Sequence, residues 1–135
     1  MSHKLLLLVG TVKGVFIFES NESRTGWSLR GPYCEAWPIN HVIGDPASGT
    51  IYAGGGGTWF GPAVWKSSDL GESWTHSSEG LSYGEGEEPV KSVWSVAPAN
   101  GSLFAGVEPA GLFRSDDDGE SWTHVNALRD HPSRP

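Results

Sequence analysis

Ser67-Ser68-Asp69-Leu70-Gly71-Glu72-Ser73-Trp74-Thr75-His76 and Ser115-Asp116-Asp117-Asp118-Gly119-Glu120-Ser121-Trp122-Thr123-His124 recur at an offset of 48 residues, and both fit S-x-D-x-G-x-S-W. The match continues upstream. Ala63-Val64-Trp65-Lys66 pairs with Gly111-Leu112-Phe113-Arg114, and Ile51-Tyr52-Ala53-Gly54-Gly55 pairs with Leu103-Phe104-Ala105-Gly106-Val107. The repeating unit is therefore a whole supersecondary element. A third, worn copy lies near the N-terminus, as Leu7-Leu8-Val9-Gly10-Thr11, then Gly14-Val15-Phe16-Ile17-Phe18, then Trp27, 47 residues before Trp74. Its turn has decayed to Asn21 to Gly26. A period of about 50 residues holding four β-rich segments predicts propeller blades, whereas a helical solenoid would carry a 3.6-residue periodicity.

The fold expected is all-β, a partial β-propeller of about three four-stranded antiparallel blades and the N-terminal part of a ring of roughly six to eight blades. Blade one spans about residues 1–30 and begins directly at its second strand, so it lacks its inner strand. Blade two spans about 39–79, with strands at Asn40 to Gly44, Thr50 to Gly54, Ala63 to Ser67 and Ser73 to Ser78. Blade three spans about 91–127, with strands at Ser92 to Ala97, Ser102 to Gly106, Gly111 to Ser115 and Ser121 to Val125. Residues 128–135 then connect to a missing blade.

The repeated turn has a physical account. Between strands three and four, the Asp69 or Asp117 carboxylate accepts backbone N–H bonds, Gly71 or Gly119 takes positive φ, and Trp74 or Trp122 buries a ring between blades. With Ser67 and Ser115 these are structural parts, strong for the fold and nearly silent on chemistry.

Composition agrees. The 135 residues contain 19 Gly, 9 Pro and 7 Trp, which suits many short strands joined by tight turns better than a helical bundle. A formal net charge of -7, with no Lys/Arg cluster, repels phosphate backbones and anionic lipid, so nucleic acid and membrane are not expected as partners. The lone Cys34 forms no internal disulfide, and Leu5 to Val9 is too short an apolar run for a membrane span, giving the expectation of a soluble cytoplasmic chain without cofactor or metal.

The segments Ser67 to Trp74 and Ser115 to Trp122 resemble the Asp-box repeats of bacterial neuraminidases, which occur also in sortilin-like receptors, xyloglucan-cleaving hydrolases and photosystem assembly factors. Gly31-Pro32 to Trp37-Pro38, Trp59-Phe60-Gly61-Pro62 and Val107-Glu108-Pro109-Ala110-Gly111 are similar to a bacterial group of uncharacterised, longer repeat proteins often labelled glycosyl hydrolases or exo-alpha-sialidases. The resemblance implies an Asp-box propeller and raises sialidase chemistry, which needs three converging arginines, a Tyr nucleophile assisted by Glu, and an acid/base Asp. That set is not visible. Arg24 and Arg30 are not followed by Ile-Pro, Arg114 stands where blade two has Lys66, and Arg129 and Arg134 lie in the tail.

In a propeller the loops joining strand four to the next strand one, and strand two to strand three, gather at one face. Those loops hold most of the residues that the repeat leaves unexplained, including Tyr83 and the acidic run Glu85, Glu87 and Glu88. The blade-two loop Gly54 to Pro62 is four residues longer than its blade-three counterpart, Gly106 to Ala110, and insertions on one face are where binding surfaces are built. Candidate acid/base groups are Glu35, Glu108 and Asp130, and candidate ligand contacts are Trp37, His41, Trp59, Glu108 and His131. Rings stack on apolar sugar faces and carboxylates accept hydroxyl hydrogen bonds. Each candidate has a plainer reading, with Trp37 and Trp59 packing the loops, Glu108 capping a tight Glu-Pro-Ala-Gly turn, His41 hydrogen-bonded between strands and the acidic run solvated.

Three readings stay open. One is a binding or scaffold module that presents an aromatic and acidic loop face to a glycan or protein partner; the alternative is part of a sialidase-like or xyloglucanase-like hydrolase whose site is completed by absent blades; the third is a purely structural repeat fragment with no activity of its own. An open run of blades also exposes apolar faces at both ends, so self-association or completion by missing blades is expected.

Overall fold

The computed structural model describes residues 5–34, 37–57 and 59–126. These form three antiparallel sheets in chain order. Sheet 1 has three strands, β1 (Leu5–Thr11), β2 (Gly14–Ser20) and β3 (Trp27–Tyr33). Sheet 2 has four, β4 (Ile39–Gly44), β5 (Ile51–Gly57), β6 (Gly61–Ser67) and β7 (Thr75–Ser77). Sheet 3 repeats them as β8 (Ser92–Ala99), β9 (Ser102–Glu108), β10 (Gly111–Ser115) and β11 (Thr123–His124). Sheet 1 thus begins at the strand equivalent to β5 and β9. Among the described residues no helix is long and apolar enough to cross a membrane.

The strand limits differ from expectation in one systematic way. β7 and β11 start at Thr75 and Thr123 rather than at Ser73 and Ser121, because the two serines are held by the preceding aspartates. The hairpin of sheet 1 also runs further out than its sequence match predicts, since Ser20 pairs with Trp27 beyond the Phe18–Leu29 pair. Leu29, not Trp27, therefore stands at the cross-strand place of Trp74 and Trp122. The four extra residues of the Gly54 to Pro62 loop extend the β5–β6 ladder to Gly57–Gly61.

Two cores fill the gaps between the sheets. Val15, Ile17, Ile39, Ile51 and Ala53 join sheets 1 and 2, while Tyr52, Val64, Val93, Val96, Leu103, Ala105, Val107, Phe113 and Trp122 join sheets 2 and 3. Coverage explains the strand sequences. β5 lies between two sheets, and Ile51 to Gly56 are all buried; β9 is covered on one face and alternates. Gly54 is small because a Cβ there would stand 2.6 Å from Val93 Cγ1 of the neighbouring sheet.

Each following turn is also tied to the sheet before it. Arg30 of β3 donates to Leu70 O at 3.0 Å and pairs with Glu72, and Lys66 of β6 donates to Asp118 O at 3.0 Å and pairs with Glu120 at 2.5 Å. Leu70 and Asp118 are equivalent residues with φ of 57° and 59°. Different strands thus supply the same kind of tie, a cation on a carbonyl and on the carboxylate two residues later.

Candidate functional site

At one end of the sheets lie the β5–β6 and β9–β10 hairpins and the long 78–91 connection, which Tyr83 ties to the β9–β10 hairpin by donating its hydroxyl to Pro109 O. Between sheets 2 and 3 this end holds a groove of about 670 Å³, lined chiefly by Trp94, Glu108, Lys91, Asn40 and the backbone at Gly56 and Gly57.

Its polar lining is built by two bulges. The β4–β5 register slips between Ile39 and His41, and the β8–β9 register slips between Val93 and Ser95. Asn40 and Trp94 are thus the extra residues of the first strands of sheets 2 and 3, at equivalent positions, and a bulge re-aims its side chain out of the alternating pattern. Asn40 Nδ2 donates to Ser92 Oγ and Val93 O, both at 2.9 Å, fixing the groove wall. Trp94 is 58% exposed, and its Nε1 donates to Glu108 Oε2 at 3.2 Å. The main chain of Lys91 donates to Glu108 O at 2.7 Å, and its ammonium pairs with Glu88 at 3.6 Å. Residues bearing an indole, a carboxylate, an ammonium and an amide therefore line a space large enough for a few sugar rings.

Of the residues singled out from sequence, Glu108 lines this groove. Trp37 lies elsewhere, its ring 4.7 Å from Phe60 and 5.6 Å from Trp65, with His76 alongside. Trp59 sits at the β5–β6 hairpin tip, 93% exposed. His41 Nδ1 accepts the Val96 N–H at 3.0 Å, which bonds sheet 2 to sheet 3. Glu35, Asp130 and His131 lie outside the described residues. Cys34 is buried, and burial pushes its thiol up to about 12, so it is protonated at neutral pH. Trp94 and Asn40 were not singled out from sequence. Their signal is the alignment of Asn40-His41-Val42-Ile43 with Trp94-Ser95-Val96-Ala97, where an asparagine shares the tryptophan's place and a core tryptophan is thereby disfavoured.

The repeated turns lie at the opposite end, and their carboxylates are occupied internally. Asp69 accepts from Ser73 Oγ, Ser73 N and Ser67 Oγ, at 2.5, 2.9 and 2.8 Å. Asp117 accepts from Ser121 Oγ, Ser121 N and Ser115 Oγ, at 2.5, 2.9 and 2.7 Å. Led by the Ser73 and Ser121 hydroxyls respectively, these donors hold each carboxyl at about 2. Ser67 and Ser115 each accept the N–H of the glycine four residues on, at 2.8 Å. Arg114 and Ser102 hold Asp116 in the same region. Among the described residues no group of three or more His, Cys, Asp or Glu side chains is placed to hold a metal ion.

No family model matches the chain, and no curated protein matches it.

Proposed function

We propose that the three sheets are successive blades of an Asp-box β-propeller and that the chain is a binding module whose loop-end groove takes a neutral glycan segment. The observation that carries this reading is the exposed Trp94 indole tethered to Glu108 in a groove of about 670 Å³. A pyranose presents an apolar C–H face that stacks on an indole, and its rim of hydroxyls needs acceptors and donors in the same plane. Glu108 Oε1 and the Asn40 amide oxygen supply acceptors and Lys91 Nζ a donor. The tether matters because an indole already held in one orientation loses little rotamer freedom on binding. A net charge of -7 works against sialylated or sulfated glycans and leaves neutral ones favoured.

Binding is preferred to hydrolysis because acid/base cleavage pairs two carboxylates roughly 5 to 9 Å apart. The described lining of the groove contributes one, Glu108. The blade reading itself is supported by the order of the sheets, by their first strands packing in succession, β4 on β1 and β8 on β4, and by turns of one kind at one end.

The test is a panel of neutral and sialylated oligosaccharides against the wild-type chain, Trp94→Ala and Trp59→Ala. The expected result is binding of a neutral member that weakens about tenfold or more in Trp94→Ala and is unchanged in Trp59→Ala. Binding that survives Trp94→Ala, or that is confined to sialylated members, overturns the groove reading, as does a panel without any binder.

A further inference from the structure

Sheet 3 turns away from the molecule a face that copies, position by position, the face with which sheet 2 receives sheet 3. Ile43, Tyr52, Gly54, Val64 and Lys66 on sheet 2 correspond through the strand register to Ala97, Phe104, Gly106, Leu112 and Arg114 on sheet 3. On sheet 2 this set is in use. Tyr52 and Val64 are buried in the second core, Ile43 packs on them, Gly54 admits Val93, and Lys66 ties the next turn. On sheet 3 the same set has no described sheet across from it. A Cβ on Gly106 would meet only Ser95 Oγ within 4 Å, and Arg114 folds back 2.9 Å from Asp116 and over the Phe104 ring.

Sheet 1 carries the opposite half of the same joint. Leu8 and Ile17 point into the first core, so their neighbours Leu7, Val9, Phe16, Phe18 and Leu29 form the other face, with Leu7 opposite Phe18 and Phe18 opposite Leu29. Leu7 and Leu29 are 52% and 56% exposed. In sheets 2 and 3 the places of Leu7 are taken by Ile51 and Leu103, both buried against the sheet before them.

We infer that copies of this chain associate head to tail, the Leu7–Phe18–Leu29 face of sheet 1 in one copy seating on the Phe104–Gly106–Leu112–Arg114 face of sheet 3 in another. The joint would continue the one made twice within each chain, and side-chain size fits it. Internally, the first strands of sheets 2 and 3, β4 and β8, do much of the filling, and among the described residues sheet 1 has no equivalent of them. It carries instead Val9 and Phe18 where sheets 2 and 3 have Ala53, Ala105, Ser67 and Ser115, and it meets a face on which Ala97 replaces Ile43. Larger groups on one side and smaller on the other keep the summed volume near that of the internal joints. Such a contact is heterologous, joining two different patches, so it closes into a ring or runs on. The inference stands on the sheet joints and is independent of the glycan reading.

The two unlike faces permit a complementation test. Leu29→Glu places a charge on the exposed sheet 1 face, and Gly106→Arg fills the sheet 3 face, where the new Cβ would stand 2.9 Å from Ser95 Oγ and the exposed Ser95 side chain must turn aside. By sedimentation velocity the wild-type chain is expected to associate above 14.5 kDa in a concentration-dependent way. Each variant alone is expected to weaken that association about tenfold or more, and an equimolar mixture to recover it in part, because each variant keeps the face that the other has lost. Leu7→Glu repeats the sheet 1 arm, and near-ultraviolet circular dichroism selects folded variants. A wild-type chain of 14.5 kDa at every concentration overturns the inference, as do folded single variants that associate like wild type or a mixture that recovers nothing.

Discussion

The turns Ser67 to Trp74 and Ser115 to Trp122 have matching interiors and different surroundings. In both, the aspartate gathers two serines, the first serine holds the glycine N–H, and the residue before the glycine takes positive φ. Outside, they part. The first turn leans on sheet 1 through Ile17, Arg30 and Tyr33, and Trp74 stays half-buried with Nε1 donating to Gly71 O at 2.9 Å. The second leans on sheet 2, where Trp122 is buried, its main-chain N–H donates to Glu79 O at 2.9 Å, and Ser77 Oγ donates to Glu120 O at 2.7 Å. The difference teaches that the Ser-Asp lattice sets the turn from local sequence alone, while the joint to the previous sheet is settled separately by whichever side chains that sheet provides.

The two glycines should separate these contributions most sharply. Both take positive φ, 95° at Gly71 and 85° at Gly119, so Gly→Ala strains either backbone. At Gly71 the new Cβ would also stand 2.6 Å from Ile17 Cδ1, in a fully buried side chain with little room to yield, whereas at Gly119 the nearest atom is Leu103 Cδ2 at 3.4 Å. Gly71→Ala is therefore expected to cost about 3 kcal/mol and Gly119→Ala about 1 kcal/mol. Equal costs in urea denaturation would show that backbone strain alone governs the position.

The serines should respond alike. Ser67 and Ser115 are buried, and removing either hydroxyl strands a glycine N–H and takes one donor from the aspartate. Ser67→Ala and Ser115→Ala are each expected to lose about 1 to 3 kcal/mol. A difference larger than about 0.5 kcal/mol between them would mean that the turn interior feels its surroundings after all.

The same separation decides what was legible in the sequence. The sheet order, the three strands of sheet 1 and the aspartate and glycine roles could be read because the repeat fixes spacing and the turn chemistry is local. The place of Leu29 could not, because aligning Trp27 with Trp74 assumes turns of equal reach, and the decayed turn lets the hairpin extend to Ser20–Trp27. Glu108 was recognisable as a residue that the repeat leaves unexplained. Trp94 was hidden because a bulge is set by how two ladders meet, and only comparison with Asn40 reveals it. The ties Arg30–Leu70 and Lys66–Asp118 arise from different strands, so no offset brings them together.

The smallest effect expected is on acid stability, and it tests the independence of the two lattices most directly. Asp69 and Asp117 titrate at about 2 in the folded chain against an ordinary value of 3.8, mainly because of the Ser73 and Ser121 hydroxyls respectively. A lowered folded value means that the unfolded chain binds the proton first, so this contribution to stability is complete above about pH 5 and is lost as pH falls through 3.8 towards 2. Both carboxylates face water, and screening keeps the consequence small. Carboxyl carbon shifts followed by NMR should place both midpoints near 2 in the wild-type chain. Ser73→Ala should raise the Asp69 midpoint and leave Asp117 in place, and Ser121→Ala should do the reverse. Movement of both midpoints in either variant would show the turns to be coupled through the Lys66 tie and the shared core, and the separation between local lattice and sheet joint would fail.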